Sequence, residues 1–312
     1  PEKFKKKLIQ LSKSNKIGTH RYMPNQGFKS TREKVAESLA KESEIPITDE
    51  EIIISTGAAG GLNAILKSIL NPQDEIIVFA PYFVEYLFYI RNHNGSPVIV
   101  KTNERFIPDL DDLNKKITNK TKGIIINSPN NPSGVLYPQN MLKKIGEIRK
   151  NKEKEFKSEI YLISDEPYRK IIYDNKKYPF IFPHHERSII VTSHSKDLGL
   201  AGERIGYIAL SPKDKDKKIL FDAIVFSLRT LGHVNATAIM QKAIEEIQDE
   251  SVDINIYKKK RDYIYNQLKD IGYDCVKPDG AFYLFPKSPI KDDVKFVKKL
   301  QDYKVLTVPG IG

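Results

Sequence analysis

Three polar segments of the chain contain side chains that could do chemistry together, and each one directly follows an apolar, strand-like run. They are Ser128–Gly134, Asp165–Tyr168 and Ser193–Lys196. Ligands of open α/β sheets bind beyond the carboxyl ends of the strands, so these segments should meet and bring together an amine, a carboxylate, hydroxyls and amides. Taken singly, a turn, a helix cap or a surface lysine explains each of them. Their joint position at strand ends indicates a ligand site.

The elements that must position these segments follow from the pattern of apolar residues. Strand-like runs alternate with amphipathic helices, which predicts an α/β fold with a mostly parallel sheet of about seven strands between helices. Several runs are apolar on both faces, as expected for strands that lie between two helical layers. Ser30, with Glu33 three residues later, predicts the capped start of the first clear helix. The predicted strands are residues 52–55, 75–80, 97–101, 123–127, 159–164, 188–192 and 204–210.

The character of the sequence changes near Val252, which predicts a second, smaller domain. A long basic helix over residues 256–271 precedes two further predicted strands, at residues 281–285 and 304–308. We therefore expect residues 18–251 to form the large domain. Residues 1–17 and 252–312 are expected to form the smaller α+β domain, with its C-terminal part incomplete.

Composition and charge exclude several classes of protein. The chain has 312 residues and a net charge of +11, but its lysines are interspersed with acidic residues, which is typical of solvated surfaces and argues against nucleic-acid binding. The apolar runs are too short to cross a bilayer, no secretory signal precedes them, and Cys275 is the only cysteine. We therefore expect a cytoplasmic protein without membrane or nucleic-acid partners. His184, His185 and His194 lack companions at metal-ligand spacing, so no metal is expected.

Together these motifs resemble the class I/II aminotransferase family, which has the fold of aspartate aminotransferase and binds pyridoxal 5'-phosphate. The most specific part of the resemblance is Ser193–Lys196 followed by Gly202–Tyr207, and Asn130–Gly134 and Ser164–Tyr168 are also close to the family's forms. The resemblance implies the type I fold of pyridoxal-phosphate-dependent transferases. It also implies a ping-pong reaction, in which an amino acid donates its amino group and a 2-oxo acid accepts it.

The resemblance assigns roles to four residues around the cofactor ring. Lys196 matches the lysine that holds the cofactor as a Schiff base and then moves the proton at the substrate α-carbon, for which its amine must be neutral. Asp165 matches the aspartate that keeps the pyridine nitrogen protonated. Tyr168 and Asn131 match the residues that hydrogen-bond the cofactor's phenolic oxygen.

The resemblance also implies a phosphate site. The turn Gly57, Ala58 and Ala59 opens a helix, where free backbone N–H groups and the helix dipole favour an anion. The matching side-chain ligands are Ser193, Ser195 and Arg204, and an arginine can bind phosphate through two hydrogen bonds.

Two aromatic residues complete the implied cofactor site. Tyr22 resembles the tyrosine that reaches the phosphate of the neighbouring subunit, which implies a homodimer. Phe83 falls where the family stacks a ring on the pyridine, with Tyr82 and Tyr86 as rivals at this position.

Several alternatives stay open. The arginine that holds the substrate α-carboxylate in the family is expected beyond Gly312, and Arg229 is read as a surface or interface arginine rather than a second carboxylate ligand. The amino donor and acceptor are not identified. The same scaffold also supports carbon–sulfur β-lyases, which would release keto acid and ammonia without an acceptor. A non-catalytic, ligand-sensing domain is disfavoured, because such a domain does not need a proton-transferring lysine.

Overall fold

The computed structural model describes residues 1–14 and 19–310, and a seven-stranded sheet lies at its centre. The strand order is β1-β7-β6-β5-β4-β2-β3. Each predicted strand of this sheet is present, with boundaries that agree to within two residues. The strands are β1 (Ile52–Ser55), β2 (Glu75–Phe79), β3 (Ser96–Val100), β4 (Thr121–Asn127), β5 (Tyr161–Asp165), β6 (Ser188–Ser193) and β7 (Gly206–Leu210).

The sheet is mostly parallel, as predicted. Only β7 runs against its neighbours, β1 and β6, while the pairs β2–β3, β2–β4, β4–β5 and β5–β6 are parallel. The carboxyl ends of β4, β5 and β6 therefore lie side by side at one edge of the sheet. The three polar segments of the sequence follow these strand ends.

Helices cover both faces of the sheet. Ile52 and Ile54 belong to one hydrophobic core and Ile53 to the other, because side chains alternate along a strand. Of the helices in the described ranges, none is both long and apolar enough to cross a membrane. The helices are α1 (Glu2–Ser12), α2 (Lys29–Ser43), α3 (Gly57–Ile69), α4 (Glu85–Asn92), α5 (Leu110–Lys116), α6 (Gln139–Phe156), α7 (His194–Asp197), α8 (Lys217–Thr230), α9 (Ala238–Ile244), α10 (Ile254–Asp270) and α11 (Asp293–Asp302).

The predicted cap of α2 is wrong. The helix begins at Lys29, and Phe28 occupies the N-cap position without a side-chain hydrogen bond. The hydroxyl of Ser30 instead donates to a carboxylate oxygen of Glu245, at 2.8 Å. Because the helix begins one residue before Ser30, Ser30 lies inside the first turn and its side chain cannot occupy the N-cap position.

The two strands predicted after residue 280 are also wrong. Between residues 252 and 310 the structure contains α10 and α11 and no strand. The backbone at Gly280 pairs only through an isolated bridge with Ile172, and Val308 is 85% exposed. A strand requires a ladder of hydrogen bonds to a neighbour, and an apolar pattern alone does not provide one.

The N-terminal helix packs on the large core. Phe4 of α1 is buried in the same core as Ile244 of α9, and Lys7 pairs with Glu246 at 2.5 Å. The division into a domain of residues 18–251 and a second of residues 1–17 and 252–312 stays a prediction. Its boundary at residues 17 and 18 lies outside the described residues, as do residues 311 and 312 at the end of the second domain.

Candidate active site

A cavity of about 220 Å³ opens at the carboxyl ends of β4, β5 and β6, next to the N-terminus of α3. Ten of the residues selected from the sequence line this cavity, although they come from six separate segments of the chain. They are Ala58, Ala59, Phe83, Asn131, Asp165, Tyr168, Ser193, Ser195, Lys196 and Arg204. The topology of the sheet thus brings the predicted ring and phosphate ligands together. Their roles toward a cofactor stay predictions.

Asp165, the last residue of β5, lies deep in the cavity and is 4% exposed. Its Oδ2 accepts a short hydrogen bond from the hydroxyl of Tyr86 and a longer one, 3.4 Å, from Nδ2 of Asn127. Its Oδ1 is buried and has no hydrogen-bond partner in the described part of the chain. Burial raises the pKa of the carboxyl group to about 7, although the bond from Tyr86 opposes this rise. A cationic N–H group of a ligand would satisfy this oxygen and hold the carboxylate in its charged form.

Lys196 lies in α7, the single turn that follows β6. The turn is fixed at both ends, because the His194 N–H donates to Ile205 O at 3.0 Å and the Leu200 N–H donates to His194 O at 3.1 Å. The ε-amine lies 5.5 Å from the ring centroid of Phe282. The face of an aromatic ring attracts a cation without forming an ion pair, so the amine is held in the cavity while its nitrogen stays accessible.

Tyr168 and Asn131 reach the cavity from the loops after β5 and β4. Tyr168 is 3% exposed, and burial raises the pKa of its phenol. Its hydroxyl oxygen lies 2.5 Å from that of Tyr283. The backbone N–H of Asn131 donates to Oδ1 of Asn127 at 2.6 Å, which fixes the loop and leaves the Asn131 side chain at the cavity surface.

The first turn of α3 and Arg204 form a cradle suited to an anion. Gly57 has a φ of +79°, and a Cβ atom there would lie 3.1 Å from Nη2 of Arg204. A side chain at this position would therefore strain the backbone and crowd the guanidinium group. Ala58 and Ala59 follow in the first turn, where backbone N–H groups have no acceptor within the helix. Nη1 of Arg204 donates to Ala201 O at 2.9 Å, and its remaining N–H groups are donors for a ligand.

Among the aromatic residues that line the cavity, Tyr86 has a contact that the sequence did not reveal. Phe83 lines the cavity, with its ring edge-on to that of Tyr86 at 5.5 Å between centroids. Tyr86 entered the sequence argument as a rival for ring stacking. In the structure it is buried and hydrogen-bonds Asp165.

Three further polar residues of the cavity were missed. Asn127 ends β4, directly before the Ser128–Gly134 segment, so the strand-end argument would have found it. Tyr89 lies one turn after Tyr86 on α4 and has no separate signal. Tyr283 is distant in sequence from the other site residues, and no spacing rule connects it to them.

Two residues considered from the sequence, Tyr22 and Arg229, do not line the cavity. Tyr22 is 93% exposed, as a residue that serves another subunit would be in a single chain. Arg229 is exposed near the end of α8 and does not line the cavity.

Two of the three histidines that were weighed as metal ligands, His185 and His194, contact protein groups in the structure. His185 is buried, with Nε2 2.9 Å from Leu142 O, and His194 pairs through Nδ1 with Asp197 at 3.1 Å.

The cavity fits a phosphorylated cofactor with a cationic ring nitrogen. It offers an amine, a buried carboxylate oxygen that lacks a partner among the described residues, and an anion cradle. A mixed seven-stranded sheet with flanking helices and this site define the type I class of pyridoxal-phosphate-dependent transferases. Within that class, the chain belongs to aminotransferase class I and II, whose sequence profile matches residues 1–311.

Known proteins agree with this assignment. The chain is 34% identical over 307 residues to a probable aspartate aminotransferase of Methanocaldococcus jannaschii, covering 95% of the chain and 78% of that protein. It is 33% identical over 308 residues to a probable aspartate/prephenate aminotransferase of Thermus aquaticus, covering 94% of the chain and 76% of that protein. An aminotransferase structure from Eubacterium rectale superposes with a TM-score of 0.97 at 37% identity, covering 99% of this chain and 79% of the other.

Proposed function

We propose that the cavity at the ends of β4, β5 and β6 binds pyridoxal phosphate and is the active site for amino-group transfer. The observation that supports this most strongly is the buried Oδ1 of Asp165, which has no partner among the described residues and belongs to a residue that lines the same cavity as Lys196. A buried carboxylate without a partner destabilises a fold. A pyridinium N–H group in this cavity would remove that penalty.

Three sets of residues would hold the cofactor. Lys196 would hold it covalently through its ε-amine. Asp165 would accept a hydrogen bond from the ring nitrogen. Phosphate would bind at the first turn of α3 with Arg204, and Ser193 and Ser195, which also line the cavity, would be further donors. When bound, pyridoxal phosphate supplies a ring that accepts the electrons left when a bond to the substrate α-carbon breaks.

Lys196 and Tyr168 would act on the reacting atoms. In its neutral form, the amine of Lys196 would take a proton from the substrate α-carbon and deliver it to C4′ of the cofactor. The Phe282 ring, 5.5 Å from the amine, would attract the amine in its protonated form, after it has taken the proton. The hydroxyl of Tyr168 donates a hydrogen bond to the phenolic oxygen of the cofactor, and Asn131 supports it from the neighbouring loop.

We further propose that the amino donor is aspartate or a similar acidic amino acid and that the acceptor is a 2-oxo acid. Relatives that are 33–34% identical over most of the chain are named aspartate or aspartate/prephenate aminotransferases. Tyr22 would complete the phosphate site of a partner subunit in a homodimer, which its exposure of 93% allows. The protein would act in the cytoplasm.

The test is a single-turnover reaction of the purified protein, loaded with pyridoxal phosphate, with aspartate in the absence of any acceptor. We expect one oxaloacetate per site, no free ammonia, and further turnover only after a 2-oxo acid is added. Lys196→Ala should give no product. Continuous release of pyruvate, ammonia and a thiol from an amino acid with a sulfur substituent on its β-carbon, without an acceptor, would instead establish a lyase. The absence of any product from a panel of amino acids would refute the proposal.

A further inference from the structure

The turn at residues 279–281, which follows α10 in the chain, places Tyr283 at the cavity. Gly134 O, in the loop after β4, accepts hydrogen bonds from the N–H groups of Asp279 and Gly280, at 2.9 and 3.0 Å. The Ala281 N–H donates to Ile171 O, in the segment after β5, at 2.9 Å. The turn is therefore attached to the same two loops that present Asn131 and Tyr168.

The turn has little freedom to move. A Cβ atom at Gly280 would lie 2.6 Å from both Ile171 O and Cγ of Pro129, so the two backbones approach more closely than any side chain permits. Ala281 is fully buried and has a φ of 56°, a conformation that alanine adopts only when its surroundings hold it there. The hydroxyl of Tyr173 also donates to Ala281 O. The position of Tyr283, two residues further on, is thus set by the loops of the site.

Tyr283 makes a specific contact with Tyr168. Their hydroxyl oxygens are 2.5 Å apart and their rings meet edge to face, with 5.5 Å between centroids. In the described part of the chain, Tyr283 is the only group that hydrogen-bonds the Tyr168 hydroxyl. The cluster is completed by Phe282, whose ring packs against Tyr168 at 5.3 Å and lies below the amine of Lys196.

We propose that Tyr283 is a positioning residue that orients the proton of Tyr168, an inference that rests on the proposed function. A phenol has one proton and can also accept hydrogen bonds. Either hydroxyl can donate in this pair. An ionised phenolic oxygen of the bound cofactor would accept the single proton of Tyr168, and Tyr283 would then donate to the oxygen of Tyr168. Two hydrogen bonds in series also strengthen each other in a buried site. Tyr283 itself touches neither the substrate nor the reacting atoms.

The test compares Tyr283→Phe with Tyr257→Phe. Tyr257 belongs to the same aromatic cluster, with its ring stacked on Phe282 at 5.8 Å, but it does not contact the Tyr168 hydroxyl. The first readout needs no cofactor: the ¹³Cζ resonance of Tyr168 in tyrosine-labelled protein should shift in Tyr283→Phe and stay unchanged in Tyr257→Phe.

The second readout is the pH midpoint of the visible absorption change of the bound cofactor. Tyr283→Phe should raise this midpoint by roughly half to one pH unit. The reason is that the hydrogen bond from Tyr168 to the ionised phenolic oxygen of the cofactor becomes weaker, which makes the ionised form less stable. The substitution should also lower kcat several-fold with little change in KM. Tyr257→Phe should change none of these quantities.

Two results would overturn the inference in different ways. A visible band whose midpoint is the same in Tyr283→Phe and in the wild type would refute the positioning role alone, even if the Tyr168 resonance moves. No visible band in the wild type would overturn the proposed function, and the inference with it.

Discussion

Replacing Asp165 by asparagine should make the stability of the cofactor-free protein less dependent on pH. Asparagine has nearly the same shape as aspartate but does not ionise. Burial raises the pKa of the Asp165 carboxyl from an ordinary value of 3.8 to about 7. Between these values the folded wild type binds a proton that the unfolded chain has lost, so its stability falls as the pH rises. In the variant, residue 165 does not ionise, so this fall in stability does not occur.

The size of the effect follows from the same two values. Each pKa unit between the folded and unfolded states corresponds to about 1.4 kcal/mol, so the rise from 3.8 to about 7 corresponds to about 4 kcal/mol. The difference in free energy of unfolding, variant minus wild type, should therefore increase by about 4 kcal/mol between pH 4 and pH 8. It should level off below about pH 3 and above about pH 8, where both states carry the same charge. The lost hydrogen bonds add an offset that does not change with pH.

Urea denaturation of cofactor-free protein at a series of pH values measures this difference. Glu166→Gln is a matched control, because the neighbouring Glu166 is equally buried and burial raises its pKa to about 7, opposed by the charge of Arg169. Both variants should therefore gain stability relative to the wild type as the pH rises. Only Asp165→Asn should weaken the binding of pyridoxal phosphate.

A stability difference for Asp165→Asn that does not change between pH 4 and pH 8 would refute the reasoning. It would mean that Asp165 ionises as easily in the folded chain as in water. The proposed need for a cationic ring nitrogen beside it would then have no energetic basis.

Three further variants test other parts of the site. Gly57→Ala should weaken the binding of pyridoxal phosphate about tenfold, because the added methyl group strains a positive φ and crowds Arg204, as an equilibrium titration would show. Tyr86→Phe should raise the pKa of Asp165 further, because the carboxylate loses the hydrogen bond that favours its charged form, and carboxyl ¹³C NMR of the cofactor-free protein would report this. Tyr22→Phe should raise the dissociation constant for pyridoxal phosphate in the dimer while leaving the melting temperature of the cofactor-free protein unchanged, because the side chain is exposed.

Each of these variants has a control. Gly202→Ala adds a methyl group with no atom within 4 Å and should bind cofactor normally. Tyr89→Phe changes another cavity tyrosine, which does not hydrogen-bond Asp165. It should change the pKa of Asp165 less than Tyr86→Phe does. At a limiting concentration of pyridoxal phosphate, a mixture of Tyr22→Phe and Lys196→Ala subunits should be more active per intact Lys196 than Tyr22→Phe alone if one intact site forms across the interface. A mixture no more active per intact Lys196 than Tyr22→Phe alone would contradict a shared site.

Most of the sheet could be predicted from the sequence because its strands, apart from the partly exposed edge strand β3, are buried on both faces. Such runs as Ile52–Ser55 and Thr121–Asn127 have no polar face, which distinguishes them from the helices between them. The predicted strands after residue 280 failed for the opposite reason. Their apolar residues are of the right type, but an apolar pattern does not specify a neighbouring strand, and here Ile172 pairs with Gly280 at a single bridge.

The site could be predicted only as far as local rules extend. Asp165 and Lys196 follow strand ends, and parallel neighbours bring such ends together whatever the details of packing. The hydrogen bonds of Tyr86 with Asp165 and of Tyr283 with Tyr168 join residues that are far apart in the chain. They depend on the packing of α4 and of the turn at Gly280, which no short motif encodes.

The most direct test of the central claim is to find which lysine binds pyridoxal phosphate. The purified protein would be incubated with the cofactor, reduced with borohydride, digested and examined by peptide mass spectrometry, beside Lys196→Ala and the exposed-lysine control Lys215→Ala. We expect a single pyridoxyl group on Lys196 in the wild type and in Lys215→Ala, and none in Lys196→Ala. Labelling spread over surface lysines, and unchanged in Lys196→Ala, would contradict the account.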